Sequence, residues 1–459
     1  IYIYIMSKLY SENDMNVLES KIKDIIYDAK RYAYDKKKIE PDLKEYISVL
    51  NVIKNYIIKN DRIIYGGFGW NELIKNKKKE DQIYSSDLAE LPDIEFYSYE
   101  PITDMKNLVD ILDDKGFKFV QGSEAHHEET YSVFVNFHQY CDISYMPMIL
   151  YNQMPKVKLS NLFISDPKFI LIDIMRQYND PITSYWRVEK QVKRANVLLK
   201  HYDLKFSHKG LLKYKNSEIL NNFLDFTRKQ IIQNSKLLVL GYYAYEYYKT
   251  RINKDTDFYV PYYDVISTNL EIDSKEIYDK LLSYDSNITV EEYHPFFQFL
   301  DRKISFKYNG MTFLNLYGSN NMCIPYFYLD SKKIHIVTFT YMIQSLLILN
   351  LYYKIYKNEN ESNNMDFLLE NIINFRNKYL KDNNKNILDE TPFQEFKIDC
   401  IGETMPPDRK ARLDAYEKHK KRVRTKLRYE AGNKIKLENI NYKNSSGNIN
   451  KSKNRILSI

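Results

Sequence analysis

Two consecutive glycines, followed at a distance by three carboxylates, constrain this chain more than anything else in it. Gly66-Gly67 stand between an apolar run, Ile63-Ile64-Tyr65, and a stretch of helical character, Phe68-Gly69-Trp70-Asn71-Glu72-Leu73-Ile74. Asp93-Ile94-Glu95 follows inside Leu91-Pro92-Asp93-Ile94-Glu95-Phe96-Tyr97, and Asp142 lies further on, inside Tyr140-Cys141-Asp142-Ile143-Ser144-Tyr145. Side chains alternate faces along a strand, so Asp93 and Glu95 share one face while Ile94 and Phe96 occupy the other. A third carboxylate from a neighbouring strand would complete a set of hard oxygen ligands for two Mg²⁺ ions. A glycine turn at a helix start offers backbone N–H groups to a polyphosphate. Asp-x-Glu alone is common on solvated strands, and Gly-Gly alone is common in turns. The reading rests on the ordered set, each member on its expected element.

This order resembles the polymerase-β-like nucleotidyltransferase superfamily: a strand, Gly-Gly or Gly-Ser, a helix, then Asp-x-Asp/Glu and a distant third Asp. Within it, the wording around the carboxylates is similar to the viral poly(A) polymerase catalytic subunits of poxviruses and amoebal giant viruses. Pro92-Asp93-Ile94-Glu95-Phe96-Tyr97-Ser98 carries the match, with His127-Glu128-Glu129-Thr130-Tyr131-Ser132-Val133-Phe134-Val135-Asn136-Phe137 and Cys141-Asp142-Ile143-Ser144-Tyr145-Met146-Pro147. It spans residues 61–200 and fades in the C-terminal half. The resemblance implies an α+β fold, a mixed sheet with flanking helices. It also implies Asp93, Glu95 and Asp142 as catalytic residues and ligands of two Mg²⁺ or Mn²⁺ ions, with the ATP triphosphate at Gly66 and Gly67. The implied reaction adds AMP from ATP to the 3′-end of viral mRNA and releases pyrophosphate.

In related polymerases a basic, aromatic helix after the third Asp contacts the triphosphate. Here Lys190 and Arg194 lie four apart on one helix face, with Tyr185 and Trp186 a turn earlier. The interval from Gly67 to Asp93 is longer than in most of the superfamily, so residues 75–90 are expected to form an insertion near the nucleotide site. Base choice is not legible. A uridylyltransferase or an oligoadenylate-type synthase would use the same carboxylates. An inactive RNA-binding or processivity partner is the reading from another class, and the intact Asp93, Glu95 and Asp142 argue against it. Poxvirus relatives work with a separate cap-methyltransferase subunit. The expected partner here is a viral processivity subunit or a second copy of the chain, and the expected setting is the host cytoplasm at the viral factory, with the virion as a second location.

A chain of 459 residues exceeds one ordinary core. No stretch approaches the ~20 apolar residues that span a bilayer; the longest apolar segment, Phe339 to Tyr353, is interrupted by Thr340, Gln344, Ser345 and Asn350 and reads as a buried helix. Ile1 to Ile5 is short and lacks a cleavage pattern, so no signal peptide is expected, and Met6 is a natural start. The three cysteines, Cys141, Cys323 and Cys400, are far apart and odd in number. They point to a reducing compartment with neither a disulfide framework nor a zinc site. His126-His127 has no partner at metal-ligand spacing. The 43 tyrosines suit an AT-rich genome.

Charge is concentrated at one end. From Arg409 to Ile459 there are sixteen Lys/Arg and four Asp/Glu, a balance of +12; by difference from the whole-chain +7, residues 1–408 carry −5. Such a tail, with Lys420, Lys421, Arg422 and Arg424 as its densest cluster, is expected to bind the RNA backbone without sequence preference. The alternative is a helix over 409–428 packed on the body through Leu413, Tyr416, Val423 and Leu427.

Apolar periodicity predicts helices over 13–34 and 42–58, forming an N-terminal extension, residues 1–60. A strand at 62–65, the glycine turn and a helix follow, then the Asp93 strand and a helix over 102–115 ending at Gly116. Strands are expected from Phe117 to Val120, 132–137 and 140–145, then helices over 166–178 and 184–202, closing a catalytic unit over 61–205. Residues 206–400 repeat the plan in weakened form: Leu237-Leu238-Val239-Leu240-Gly241 reads as strand and glycine. In that alignment Asp264 takes the place of Asp93, Ile266 that of Glu95, and the strand 302–306 lacks the third Asp. The copy is therefore expected to be degenerate and unable to hold metal, with the basic tail occupying 401–459.

Overall fold

The structure, a computed structural model, describes residues 11–36, 43–84, 92–125, 129–180, 182, 184–212, 217–251, 258–319, 322–402, 413, 425–432 and 436–439. It opens with α1 (Glu12–Lys36) and α2 (Leu43–Lys59). α2 buries Tyr46, Val49, Leu50, Ile53 and Ile57, a stripe at helical spacing. The described side chains of α1 are exposed throughout, so only the second of the two expected helices packs on the body.

The first α/β unit runs β1 (Ile63–Tyr65), α3 (Gly66–Lys77), β2 (Ile94–Ser98), α4 (Pro101–Asp114), β3 (Gln121–Glu124), β4 (Thr130–Val135) and β5 (His138–Tyr145). It continues through α5 (Met148–Gln153), β6 (Lys156–Leu159), β7 (Leu162–Ser165), α6 (Pro167–Tyr178) and α7 (Val188–His201). After α8 (Glu218–Thr227) comes a second unit: β8 (Leu238–Leu240), α9 (Gly241–Thr250), β9 (Tyr263–Ser267), α10 (Leu270–Tyr284), β10 (Ile288–Tyr293), β11 (Lys303–Tyr308) and β12 (Met311–Gly318). The remaining elements are β13 (Ile324–Leu329), β14 (Ile334–Val337), α11 (Phe339–Ile355), α12 (Glu359–Asp382), β15 (Cys400–Ile401), β16 (Thr425–Glu430) and β17 (Lys436–Asn439).

Two mixed sheets result, ordered β17-β16-β3-β4-β5-β2-β1-β7-β6 and β10-β11-β12-β9-β8-β14-β13-β15. Their cores coincide: raising each number in 3-4-5-2-1-7-6 by seven gives 10-11-12-9-8-14-13. Pair senses repeat as well. β1–β2 and β8–β9 are antiparallel, β2–β5 and β9–β12 parallel, β1–β7 and β8–β14 parallel. A β-bulge even recurs at the same place, after Val133 in β4 and after Phe306 in β11. Two unrelated α/β segments would have no reason to share that irregularity, and the duplication read from the sequence is present in the topology. α6 and α11, equivalent in the two units, pack on each other, with the Asn179 amide donating to Gln344 Oε1 at 2.7 Å. α11 is buried on nearly every side, which accounts for its long apolar run; no described helix is long and apolar enough to cross a membrane.

Several expectations need correcting. Phe117 to Val120 is not a strand: Phe119 adopts a left-handed backbone, φ 54°, and β3 starts only at Gln121. Cys323 and Cys400 form a disulfide, against the expectation of none. Distance in sequence misled here, because antiparallel pairing of β13 with β15 sets Pro325 opposite Cys400 and so brings residues 77 apart together. Cys141 remains a buried thiol. The tail is not helical over its last residues before 430. β16 instead pairs with the edge of β3, and Tyr429 is buried with its hydroxyl donating to Asp110 at 2.8 Å. Lys420, Lys421, Arg422 and Arg424, like His126 and His127, lie outside the described residues.

Candidate active site

Register brings the predicted residues together. β1 and β2 set Tyr65 opposite Glu95, and the parallel pairing of β2 with β5 sets Glu95 opposite Asp142. Gly66 follows Tyr65 directly and has φ 64°. A Cβ there would fall 1.7 Å from Glu95 Oε2, so both the backbone and the neighbouring carboxylate require glycine. A Cβ on Gly67 would lie 2.7 Å from Arg194 Nη2. The pair of glycines therefore lets a carboxylate and a guanidinium approach the start of α3, where free N–H groups and the helix dipole favour an anion. In this structure the Gly67 N–H donates to Glu95 Oε2 at 2.9 Å.

The carboxylates are half-buried and crowded together. Asp142 Oδ1 accepts from Ser132 Oγ at 2.6 Å and from the Gln139 amide at 2.9 Å, and the same amide lies 3.4 Å from Asp93 Oδ2. Burial first, and then the Asp93 charge, pushes the Glu95 carboxyl up to about 8. Burial likewise raises Asp142 to about 6, opposed by its bond from Ser132. Asp173 on α6 adds to the negative field at Glu95. Among the described residues no three acidic groups converge closely enough to ligate one ion; Gln139 and the Gly67 N–H hold them instead. The donor set still fits divalent cations: three hard oxygen donors from two adjacent strands and the residue before one of them, two of them resisting ionisation through burial and the Asp93 charge.

The predicted cations take different places. Arg194 is 8 % exposed, and its Nε is buried without a hydrogen-bond partner. Trp70 ties α7 to α3 by donating its indole N–H to the Arg194 carbonyl at 3.1 Å. Lys190 is exposed one turn away, its ammonium 5.6 Å from the centre of the Tyr84 ring. Tyr84 itself escaped the sequence reading. Its hydroxyl accepts from Arg194 Nη2, its ring lies 5.5 Å from that guanidinium, and Asn71 holds its backbone. The long Gly67–Asp93 interval was the available signal. Its described part indeed folds back on α7, where Lys200 and His201 each bond Asp81 at 2.6 Å.

The second unit repeats the frame without the chemistry, and its register corrects the sequence alignment. Leu240 pairs with Asp264 as Tyr65 pairs with Glu95, and Gly241 repeats the left-handed turn with φ 63°. Asp264 thus corresponds to Glu95, not to Asp93, whose counterpart is Tyr262. The third position falls on β12, not on the strand 302–306: Asn315 pairs with Asp264 as Asp142 pairs with Glu95. Loop lengths differ between the copies, so counting from the glycine shifted the match by two residues. Tyr242 stands where Gly67 should be, and Tyr242 and Tyr262 both donate to Glu361 Oε2 at 3.0 Å. Asn315 donates to Asp264 at 2.9 Å. One carboxylate of three survives, in a space filled by phenols.

Comparison with known proteins points to one family. A family model described as the poly(A) polymerase catalytic subunit matches residues 51–184. A second, described as the C-terminal region of the APMV poly(A) polymerase catalytic subunit, matches residues 196–459. A protein of Acanthamoeba polyphaga mimivirus that carries the name of a poly(A) polymerase catalytic subunit is 32 % identical, over 96 % of this chain and 82 % of its own length. A like-named African swine fever virus protein is 29 % identical over 39 % of this chain and 38 % of its own. The crystal structure of the Megavirus polyadenylate synthase superposes with a TM-score of 0.86 at 31 % identity, covering 94 % of this chain and 88 % of that one.

Proposed function

The chain belongs to the family of viral poly(A) polymerase catalytic subunits, and from that premise we propose that it adds AMP from ATP, without a template, to the 3′-end of viral mRNA. One observation carries the reading: Glu95 and Asp142 are cross-strand partners on parallel strands, facing a glycine turn over which a buried arginine lies. Asp93, Glu95 and Asp142 would hold two Mg²⁺ or Mn²⁺ ions, which supply charge at the transferring phosphoryl group and make the RNA 3′-hydroxyl more acidic.

The chain's own groups do the rest. The start of α3 presents N–H groups and a positive dipole end to the triphosphate. Arg194, with an unpartnered buried Nε, and Lys190 neutralise the phosphates, and Tyr84 orients the guanidinium between them. Ser132 and Gln139 fix the rotamer of Asp142, so little reorganisation accompanies the reaction. The host cytoplasm, at the viral factory, is the setting that this substrate suggests. Incubation with a short RNA, Mg²⁺ or Mn²⁺ and each nucleoside triphosphate separately tests the proposal: extension with ATP alone is expected, preference for UTP would make the protein a uridylyltransferase, and no extension would leave an RNA-binding partner.

A further inference from the structure

We propose that Phe119 and Phe137 form a stacking platform for the bases of single-stranded RNA just behind its 3′-end. The proposal rests on the transferase reading only for the identity of that strand. The two rings are stacked, with centroids 4.7 Å apart and an interplanar angle of 28°, yet they are 60 % and 68 % exposed. Among the described phenylalanines only Phe396 is otherwise classed as exposed, so the pair is not a sample of a generally greasy surface.

Both residues adopt the left-handed backbone, φ 54° and 64°, where Gly or Asn is the ordinary choice. A hydrogen bond of 2.9 Å from the Asn136 N–H to the Lys118 carbonyl locks the two turns together. Holding bulky residues there strains the backbone, and exposed rings return little of that cost through burial. Stability therefore does not explain them; a ligand with flat faces does.

Position names the ligand. Phe137 closes the turn between β4 and β5, and two residues later Gln139 bonds Asp142 and approaches Asp93. Asp142 is five residues along the same strand, roughly 15 Å at extended spacing, so the platform lies within a few nucleotides of the reacting end. Exposed Lys115 and Lys118 beside the pair are balanced by Asp113 and Asp114 at the end of α4. Affinity here would come from stacking, which every base can provide, and not from counterion release. That separates this site from the basic tail.

The test is equilibrium binding of a short oligoadenylate to the full chain, with steady-state kinetics in parallel. F137A should weaken binding roughly ten-fold while leaving the salt slope, the KM for ATP and kcat at saturating RNA unchanged. F137W should restore affinity, and abasic substitutions near the 3′-end should weaken the wild type but not F137A. F137G relieves the left-handed backbone, so it should raise the Tm while still losing affinity; this guards against a folding artefact. Unchanged affinity in F119A/F137A overturns the proposal, and an altered sedimentation coefficient with unchanged affinity would identify a protein interface instead. Wild-type protein that binds the oligomer but adds no nucleotide defeats the transferase reading alone. Full-affinity tailing by F137A defeats the platform alone.

Discussion

Glu95 shows how one side chain links fold, stability and chemistry. Its carboxyl is raised to about 8 and that of Asp142 to about 6, chiefly by burial. The folded chain therefore holds these protons more tightly than the unfolded chain, and stability must fall as pH rises from the ordinary carboxylate range through about 8. The Tm of metal-free protein should drop between about pH 5 and about pH 8, E95Q should flatten that drop, and Mg²⁺ should raise the Tm most at the upper end, where the carboxylates are ionised and no proton competes with the metal. A profile equally steep in E95Q would contradict the assignment. Tyr84 makes a second prediction at this scale. Y84F removes the hydroxyl that orients Arg194, so the KM for ATP and the inhibition constant of tripolyphosphate should rise by a similar factor, about ten-fold or more for one hydrogen bond to a charged group, with kcat little changed. A fall in kcat and Tm without a change in KM would mean that Tyr84 only packs the loop.

Among the elements, the buried ion pair just before β1 and the added edge strand each have a testable energy. Arg62, just before β1, pairs with Asp104 of α4 at 2.7 Å, and Tyr56 of α2 donates to the same carboxylate at 2.6 Å. D104A leaves a buried guanidinium with Glu100 as its one remaining carboxylate partner, so urea unfolding should show a loss of about 3–5 kcal/mol. β16 covers the edge of β3 and buries Tyr429. Deleting residues 425–459 should thus lower the Tm, whereas neutralising Lys420, Lys421, Arg422 and Arg424 together should leave it in place. The neutralised protein should bind RNA more weakly, with the slope of log K against log salt reduced by about 0.7 per charge removed. An unchanged slope would show that the cluster does not touch RNA. Periodicity made α2, α4, α6 and α7 legible because one face of each is core. It missed β16 because pairing with a strand some 300 residues away leaves no local signal, and it misplaced the start of β3 because Phe119 looks like a strand residue but sits in a left-handed turn.

For the whole molecule, the duplication decides what each half can do. The three carboxylates and both glycines that the register brings together were readable in the sequence, since their types and order are those that a triphosphate and two cations would need. The match between the copies was readable only as a trend, because hydrogen-bond register, not residue counting, shows that Asp264 stands for Glu95 and Asn315 for Asp142. The Cys323–Cys400 link and the Tyr84 contact were out of reach for the same reason. The most direct measurement is therefore a paired one: the rate of AMP addition to a short RNA by D93A and by D264N, the latter keeping the shape of a buried side chain. The account predicts loss of all but trace activity in D93A and a nearly wild-type rate in D264N. Retention of more than a few per cent of activity in D93A, or a collapse in D264N, would contradict it.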